Sequence, residues 1–276
     1  MIQSDAGYGL VLMGVLLAYW RRLERSASGR AYRLLGLSLF GCSILYGVLV
    51  GSFFGVTPAQ GSLLGRFHVL DVNDYDGMMR LSIIIGVLHL VLGNAVTAFL
   101  NRTRPLALAN LGWIAGLFGG LSLTYAEAGT LFSSLGYPLL VSGLVAVFLF
   151  SSERPIVKRP VDYLWRMLDG LKALTGAMGM FGDVLSYMRL FALGLASASL
   201  ALTFNGLATQ IREEVPGMGL FLAILVLLLG HVINLALSIM SGVVHGLRLN
   251  FIEFYKWGMP GEGKAFEKFA RKEVQP

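Results

Sequence analysis

Two arginines lie within long apolar stretches of this 276-residue sequence. Arg189 is the only charged residue between Asp183 and Arg212, and Arg248 lies near the end of the next apolar stretch. A guanidinium group keeps its proton in proteins, so each residue would bring a permanent positive charge into a membrane. That placement costs roughly 2.5–3.5 kcal/mol per arginine on insertion scales. Two such residues in successive stretches predict a site for a carboxylate or another anion within the bilayer.

Further polar residues surround the two arginines at helical spacing. The last apolar stretch carries a polar stripe in which the polar residues are three or four apart: His231, Asn234, Ser238, Ser241, His245 and Arg248. On the preceding stretch one face holds Gly182, Ser186, Arg189, Leu193 and Ala196, with Ser197 beside it. His245 lies one turn from Arg248, which favours a functional role. The serines are more typical of helix packing, whereas His231 and Asn234 fit interhelical hydrogen bonds and function equally well.

Each charged residue also has a purely structural interpretation. Arg189 would form an ion pair with Asp183 or Glu127, and Arg248 would extend its side chain to the membrane surface. Glu127 and His89 are isolated polar residues in or near apolar stretches, where they either line a water path or simply pack. The sequence indicates no other carboxylate at the depth of the arginines on their own helices. We therefore expect another polypeptide to supply it.

The composition indicates that these residues lie in a membrane. Hydrophobic residues make up 55% of the sequence and charged residues 14%, whereas soluble domains carry about 25% charged residues; the mean hydropathy is +0.69. The apolar stretches are continuous rather than alternating, which predicts an all-α bundle of transmembrane helices. The net charge of +6 resides in loops without interleaved aromatic residues, so we expect no nucleic-acid partner. The sequence has no phosphate loop, nucleophile motif or cluster of metal ligands, so no cofactor, metal or catalytic residue is predicted.

About seven spans are predicted, at residues 6–20, 31–56, 78–100, 106–126, 131–151, 175–210 and 218–255. We expect one membrane domain with four parts. These are five spans within 1–160, an amphipathic helix at the membrane surface over 161–174, a tilted helix pair facing a partner over 175–255 and a cytoplasmic tail over 256–276. The segment 175–210 holds about 36 residues, or roughly 54 Å of helix, against a hydrocarbon layer of ~30 Å. The last two helices are therefore expected to be long and tilted.

The loops predict the orientation of the chain. If it crosses the membrane seven times, seventeen of its 22 lysines and arginines fall on one side, and positive residues mark the cytoplasmic side. The opposite loops hold Arg66, Arg80 and Arg212 together with five acidic residues. We therefore expect the C-terminus in the cytoplasm and the N-terminus outside.

The motifs that contain the two arginines resemble one family of membrane proteins. GDVLSYMRLFALGLASASLA, around Arg189, resembles the second-to-last span of subunit a (subunit I) of the V-type and archaeal A-type rotary ATPases, in the membrane half of that subunit. HGLRLNFIEFY and GEGKAFEKF resemble its last span and its tail, and SDAGYG, YGVLVGSFFG and GVLHLVLGN resemble its earlier spans in order. ALGLAS is more similar to the prokaryotic members, which implies the inner membrane of a prokaryote.

The resemblance implies the membrane stator of an ion-translocating rotary motor, a non-catalytic subunit of a multi-subunit ATPase. Two half-channels would carry H⁺ or Na⁺ to and from a proteolipid ring, whose ion-carrying carboxylate would meet Arg189 and Arg248. Peripheral and central stalk subunits would be further partners. The residues expected to line the half-channels are His245, Glu127, Asp183, Ser238, Ser241, Ser186 and His89. The chain would supply the last seven of eight spans, and the family's N-terminal cytoplasmic arm and first span are expected to be absent.

Two other functions are compatible with the residues. A stand-alone secondary transporter would use both arginines to bind an anionic substrate, although broken helices and an internal repeat are not evident in the sequence. A structural or assembly scaffold would leave the two costly arginines without a role.

Overall fold

The structure is a computed structural model that describes residues 1–59, 61–71, 74–126, 129–152, 154 and 160–258. Within these ranges the chain is helical and contains no β-strand, apart from a single bridge between Phe53 and Val56. The helices are α1 Ala6–Ala18, α2 Trp20–Leu23, α3 Ala27–Val50, α4 Tyr75–Leu100, α5 Leu106–Tyr125, α6 Leu131–Phe150, α7 Pro160–Ser186, α8 Met188–Glu214, α9 Gly219–Arg248 and α10 Tyr255–Gly258. A 3-10 turn covers Gly65–Phe67, and a π turn over Leu249–Phe254 joins α9 to α10.

Six helical segments of the described chain are long and apolar enough to cross a membrane. They are α3, α4, α5, α6, the α7–α8 segment Val161–Glu214 and the α9–α10 segment Gly219–Gly258. α1 is also apolar but has only 13 residues. The predicted polytopic helical bundle is confirmed, with six long spans where about seven were predicted and α1 as the short helix. Many large apolar side chains are exposed on the surface, which is typical of a protein that contacts lipid.

Polar caps and a glycine explain where several helices begin and end. Asp5, Ser26 and Asp74 precede α1, α3 and α4, and each accepts a hydrogen bond from a backbone N–H in the first turn, as N-cap residues do. α3 ends at Gly51, whose φ of 68° is the left-handed conformation that glycine adopts without strain. The ends of these helices are therefore set by polar or glycine residues, while their interiors stay apolar.

The α7–α8 segment contains a helix break that the sequence did not predict, and the predicted division between a surface helix and a span at residue 174 stays a prediction. α7 continues to Ser186, the helix breaks at Tyr187, and α8 begins at Met188. Tyr187 is 1% exposed, and its hydroxyl forms a 2.7 Å hydrogen bond with His89 Nδ1. Its ring lies against Gly86 of α4, where an added Cβ would approach Tyr187 Cγ to 2.6 Å. The position of the break is therefore explained by packing against α4, not by a proline or glycine at the break.

The amphipathic segment 161–174 keeps its apolar side chains on the surface of the chain. Val161, Leu164, Trp165, Leu168 and Leu171 are all exposed, so this face is available to lipid or to a neighbouring subunit. Its location at the membrane surface stays a prediction. The same holds for the cytoplasmic tail, of which residues 259–276 lie outside the described part of the chain.

The helices pack as pairs around one buried region. α5 lies along α6, α8 along α9, and α1 along α3. The buried region that joins α4 to α7 and to the last helix contains Leu90, Met180, Tyr187 and Leu249. The break after α7 and the π turn after α9 therefore meet in the same core, and each of the two arginines lies within two residues of a core residue.

Candidate functional site

Arg189 lies at the start of α8, two residues after the helix break. Its side chain is half-buried, and its Nη1 atom is buried without a hydrogen-bond partner among the residues that the structure describes. Of its two predicted ion-pair partners, Asp183 binds other groups and Glu127 lies outside the described residues. A polar atom of a charged group that is withdrawn from water without a partner is destabilising. The geometry therefore leaves Arg189 available to bind an anion from outside the chain.

Arg248, the last residue of α9, has an acidic neighbour on its own helix. Its Nε lies 3.8 Å from Glu253 Oε1; the Arg248 side chain is 51% exposed and that of Glu253 is 2% exposed. The second carboxylate oxygen, Glu253 Oε2, is buried and has no hydrogen-bond partner in the described chain. The expectation that the arginine helices carry no carboxylate of their own at this depth is therefore wrong.

A local change of helix type explains this contact. The two residues are five apart in sequence, a spacing that an α-helix places on different faces and a π-helix places one turn apart. The π turn over Leu249–Phe254 begins directly after Arg248 and contains Glu253. The sequence did not predict a role for Glu253, because α-helical spacing puts it on a different face from Arg248. Only π geometry makes the two residues neighbours.

The two arginines lie at similar heights on antiparallel helices that pack against each other. Arg189 lies about 25 residues before the end of α8 at Glu214, and Arg248 about 29 residues after the start of α9 at Gly219, so the two differ by about 6 Å of helical rise. Two long and flexible arginine side chains can bridge such an offset. The helix pair therefore carries both arginines near the same end, offset by about 6 Å of helical rise.

Asp183 connects α7 to the end of the last helix. Its Oδ2 accepts hydrogen bonds from Lys256 Nζ at 2.8 Å and from Trp257 Nε1 at 2.7 Å, and its side chain is 15% exposed. Lys256 and Trp257 belong to α10, so the contact holds α10 against α7. Asp183 thus has structural partners, and its predicted place in a half-channel stays a prediction.

His89 lies between the helix break and the π turn. Its Nδ1 is hydrogen-bonded to the Tyr187 hydroxyl, and its ring stacks on Phe254 at a centroid distance of 4.4 Å and an interplanar angle of 11°. Tyr187 directly precedes α8, and Phe254 belongs to the π turn that follows α9. His89 therefore links α4 to both arginine-bearing segments.

The polar stripe of α9 contacts α8 at its middle. Asn234 and Ser238 are buried, and both bind Ser197 of α8. Ser197 Oγ donates to Asn234 Oδ1 at 3.1 Å and lies 2.9 Å from Ser238 Oγ. Asn234 thus forms an interhelical hydrogen bond, one of the two interpretations given for it, and Ser238 and Ser197, for which helix packing was expected, also contact each other across the two helices.

The polar residues nearer to the arginines make fewer contacts. Ser241 and His245 are half-buried, and His245 Nδ1 is buried without a hydrogen-bond partner among the described residues. Ser186 donates a hydrogen bond to Gly182 O within α7 at 3.1 Å, an ordinary contact for a serine in a helix. His245 therefore resembles Arg189 in having an unused buried polar atom.

A polar network that the sequence did not predict joins α1 to the helix pair α8–α9. Tyr8 Oη lies 2.7 Å from His231 Nδ1 and accepts a hydrogen bond from Asn234 Nδ2 at 3.0 Å. His231 Nε2 lies 3.1 Å from Asn205 Oδ1.

Three residues before Tyr8, the Asp5 carboxylate binds the chain that follows α3. It accepts hydrogen bonds from Ser52 Oγ, Phe54 N, Gly55 N and Tyr8 N. Asp5 and Tyr8 are visible in the motif SDAGYG, but no periodicity relates Tyr8 to its partners His231 and Asn234, more than 220 residues later.

The site so described belongs to an integral membrane helical protein that holds charged and polar groups between its spans. Within the described residues, no group of three or more histidine, cysteine, aspartate or glutamate side chains is placed to bind a metal ion. The arrangement is suited to attracting and orienting an anion at low dielectric, where charge interactions are strong.

Comparison with curated proteins identifies the family, although no family model matches the chain. The chain is 35% identical to V-type ATP synthase subunit I of Chlamydia trachomatis, over 96% of this chain and 48% of that protein. It is 30% identical to V-type ATP synthase subunit I of Chlamydia pneumoniae, over 96% and 47% of the two chains. It is 28% identical to A-type ATP synthase subunit I of Methanocaldococcus jannaschii, over 96% and 42%. The chain thus spans about half the length of these relatives.

The chain belongs to the subunit I family of V-type and A-type ATP synthases. The resemblance based on the arginine motifs is confirmed.

Proposed function

We propose that this chain is the membrane stator of a V/A-type rotary ATPase, in which it forms ion half-channels against a ring of proteolipid subunits. The observation that carries the proposal is Arg189, whose guanidinium has a buried nitrogen that no described residue binds. A protein that keeps such a charge within a membrane needs an anion to compensate it. Because the relatives are named ATP synthase subunit I, we assign that anion to the ion-carrying carboxylate of the ring.

In this function a fixed positive charge controls the state of each ring carboxylate. A nearby guanidinium favours the ionised form of a carboxylate, so a ring subunit must release its H⁺ or Na⁺ before its carboxylate passes Arg189. The same charge repels cations, which prevents them from moving directly from one half-channel to the other. Ions then cross the membrane only when the ring rotates.

The two arginines have different roles in this proposal. Arg189 forms the main contact with the ring carboxylate because nothing in the described chain competes for it. Arg248 is shared, since Glu253 Oε1 already lies 3.8 Å from its Nε. Glu253 would hold Arg248 in position between successive ring carboxylates and would help each carboxylate to leave.

Two sets of polar residues are candidates for the half-channels. One follows α9 away from Arg248, from Ser241 and Ser238 through Ser197 to Tyr8. The other lies around the helix break and the π turn, where His89 meets Tyr187. His245, Asp183, Ser186 and Glu127 stay candidates from the sequence.

The basic loops and tail support a cytoplasmic C-terminus. The proposed membrane is the inner membrane of a prokaryote, and the remaining partners are the stalk subunits.

The decisive experiment replaces Arg189 in the intact ATPase. Arg189→Ala is expected to abolish ATP-driven ion transport into vesicles, while the complex still assembles, because the ring carboxylate loses its fixed partner. Arg212→Ala, at the end of the same helix, is the matched control and is expected to transport normally. Normal transport by an assembled Arg189→Ala complex would refute the proposal.

An unpartnered membrane arginine is also what a stand-alone carrier of an anionic substrate would use, so the two functions need a direct comparison. A stator is expected to co-purify with a proteolipid ring after mild solubilisation. A chain that purifies alone and transports a carboxylate substrate when reconstituted by itself would favour the carrier.

A further inference from the structure

An apolar cavity lies between four of the long apolar helices. Its volume is about 360 Å³, and Val87 of α4, Leu117 of α5, Leu144 of α6 and Val184 of α7 contribute to its walls. The cavity exists because α5 presents glycines there. An added Cβ on Gly116 or Gly120 would meet no atom within 4 Å, so a layer of side chains is missing on this face of the helix.

Water is a poor occupant of this space. A buried water molecule needs two to four polar partners, and the lining is almost entirely hydrocarbon. The Thr124 hydroxyl, one of the few polar groups there, already donates to Gly120 O and Leu121 O within α5. An empty cavity of this size forfeits dispersion contacts on all its walls. An apolar occupant is therefore favoured.

The location of the cavity indicates which apolar occupant is at hand. All four helices that line it belong to segments long and apolar enough to cross a membrane. Two lining residues, Phe181 and Leu185, are 62% and 42% exposed on the surface of the chain, so the cavity opens towards the surrounding lipid. A hydrocarbon chain can enter from the bilayer without unfolding any part of the bundle.

A positive charge stands beside one end of the cavity. Tyr125, at the end of α5, lines it, and the guanidinium carbon of Arg80 lies 5.6 Å from the centre of the Tyr125 ring. Arg80 is exposed and forms no ion pair with any residue that the structure describes. An anionic phosphodiester at this position would complement its charge, while the attached acyl chain lies between the helices.

We propose that this cavity is a binding site for an anionic phospholipid, with one acyl chain between α4, α5, α6 and α7 and the phosphate at Arg80. The lipid completes the packing between α7 and the preceding helices. Neither Arg189 nor Arg248 lines the cavity.

The test is photo-crosslinking of the intact complex in lipid nanodiscs. The probes are phosphatidylglycerol and phosphatidylcholine that carry the same diazirine-labelled acyl chain, and labelled peptides are mapped by mass spectrometry. We expect phosphatidylglycerol to label the α5 and α7 segments that line the cavity, severalfold more than phosphatidylcholine. Gly120→Leu fills the cavity and is expected to remove most of this labelling. Gly41→Leu, on α3, is the matched control, because a Cβ there also meets no atom within 4 Å.

The outcomes separate the parts of the proposal. If the α5 and α7 segments are not labelled in the wild type, or are labelled equally in Gly120→Leu, the proposed lipid site is wrong. The cavity is then filled by a protein side chain or holds no ligand. Arg80→Gln is expected to make the two lipids label equally. If phosphatidylcholine already labels as strongly in the wild type, the assignment of the phosphate to Arg80 is wrong. Monodisperse elution of every variant shows that a loss of labelling is not a loss of fold.

Discussion

The buried carboxylate of Glu253 gives the two arginines unequal electrostatic surroundings. Arg248 is half-exposed and has Glu253 within 3.8 Å, whereas Arg189 has a buried nitrogen without any described partner. A carboxylate that is 2% exposed loses most of its hydration, so a nearby guanidinium compensates a large part of that cost. Glu253 and Arg248 therefore depend on each other, and an anion that arrives from outside competes with an existing partner only at Arg248.

Glu253→Gln tests this competition in the intact ATPase. The amide keeps the shape of the side chain but removes its charge, so Arg248 is expected to hold the ring carboxylate more tightly and to release it more slowly. We expect the maximal rate of ATP-driven ion transport to fall by about threefold to tenfold, which corresponds to roughly 1 kcal/mol in the barrier. Glu213→Gln, a change of the same kind at the end of α8, is expected to leave the rate unchanged. A Glu253→Gln complex that assembles and transports at the wild-type rate contradicts the competition.

At this scale the sequence could predict the cations but not their partners. Arg189 stands out because it is the only charged residue in a stretch of more than twenty positions, between Asp183 and Arg212. Glu253 does not stand out, because its relation to Arg248 depends on a π turn, and the sequence LNFIEF carries no glycine or proline that indicates one. Similarly, the partners of Asp183 lie more than seventy residues away, beyond the reach of helical periodicity.

Helix boundaries show the same difference between local and tertiary causes. α3 to α6 correspond to four of the predicted spans, because caps, loops and continuous apolar residues are local signals. The break at Tyr187 is not a local signal: GDVLSYMRL contains no proline, and its glycine lies five residues before the break. The break coincides with a contact across the bundle to His89 and Gly86. Tertiary packing therefore decided the one boundary that matters most for placing Arg189.

The α5–α6 pair offers a direct test of close helix packing. An added Cβ on Gly112 would approach Gly143 O to 2.7 Å and the Ala146 Cβ to 2.9 Å, whereas Gly116, one turn later, has open space. Gly112→Ala is therefore expected to destabilise the bundle by about 1–3 kcal/mol through overpacking. Gly116→Ala is expected to be neutral, or stabilising by up to about 1 kcal/mol through helix propensity. Thermal unfolding of the detergent-solubilised complex measures both, and equal melting temperatures for the two variants would show that α5 and α6 separate easily.

Polar contacts tie the last helices to the rest of the molecule at two places, one at α1 and one at the end of α7. Near α1, the Asp5 carboxylate binds the chain after α3, and Tyr8 reaches across to α9, whose His231 in turn contacts Asn205 of α8. Near the end of the last helix, Asp183 binds Lys256 and Trp257. The arginines lie on the helices that these two connections hold. If the chain is the proposed stator, these connections would help it to resist a turning ring, because apolar contacts between helices in lipid are not strengthened by the exclusion of water.

Tyr8→Phe is the variant that tests the connection at α1. It removes one hydroxyl and leaves His231 Nδ1 without its 2.7 Å contact and Asn234 Nδ2 with one partner fewer. Leaving polar groups unsatisfied in a buried site costs about 1–3 kcal/mol, so a lower melting temperature of the solubilised complex is expected. Tyr46→Phe is the control, because the Tyr46 hydroxyl makes only a weak 3.9 Å contact with Met78 Sδ.

The same two variants test whether the network conducts ions. If it does, Tyr8→Phe lowers ATP-driven transport at temperatures where the complex is fully folded, whereas Tyr46→Phe leaves it unchanged. Equal stability of the two variants would show that Tyr8 does not hold α1 against α8 and α9, and the connection would then rest on apolar packing alone.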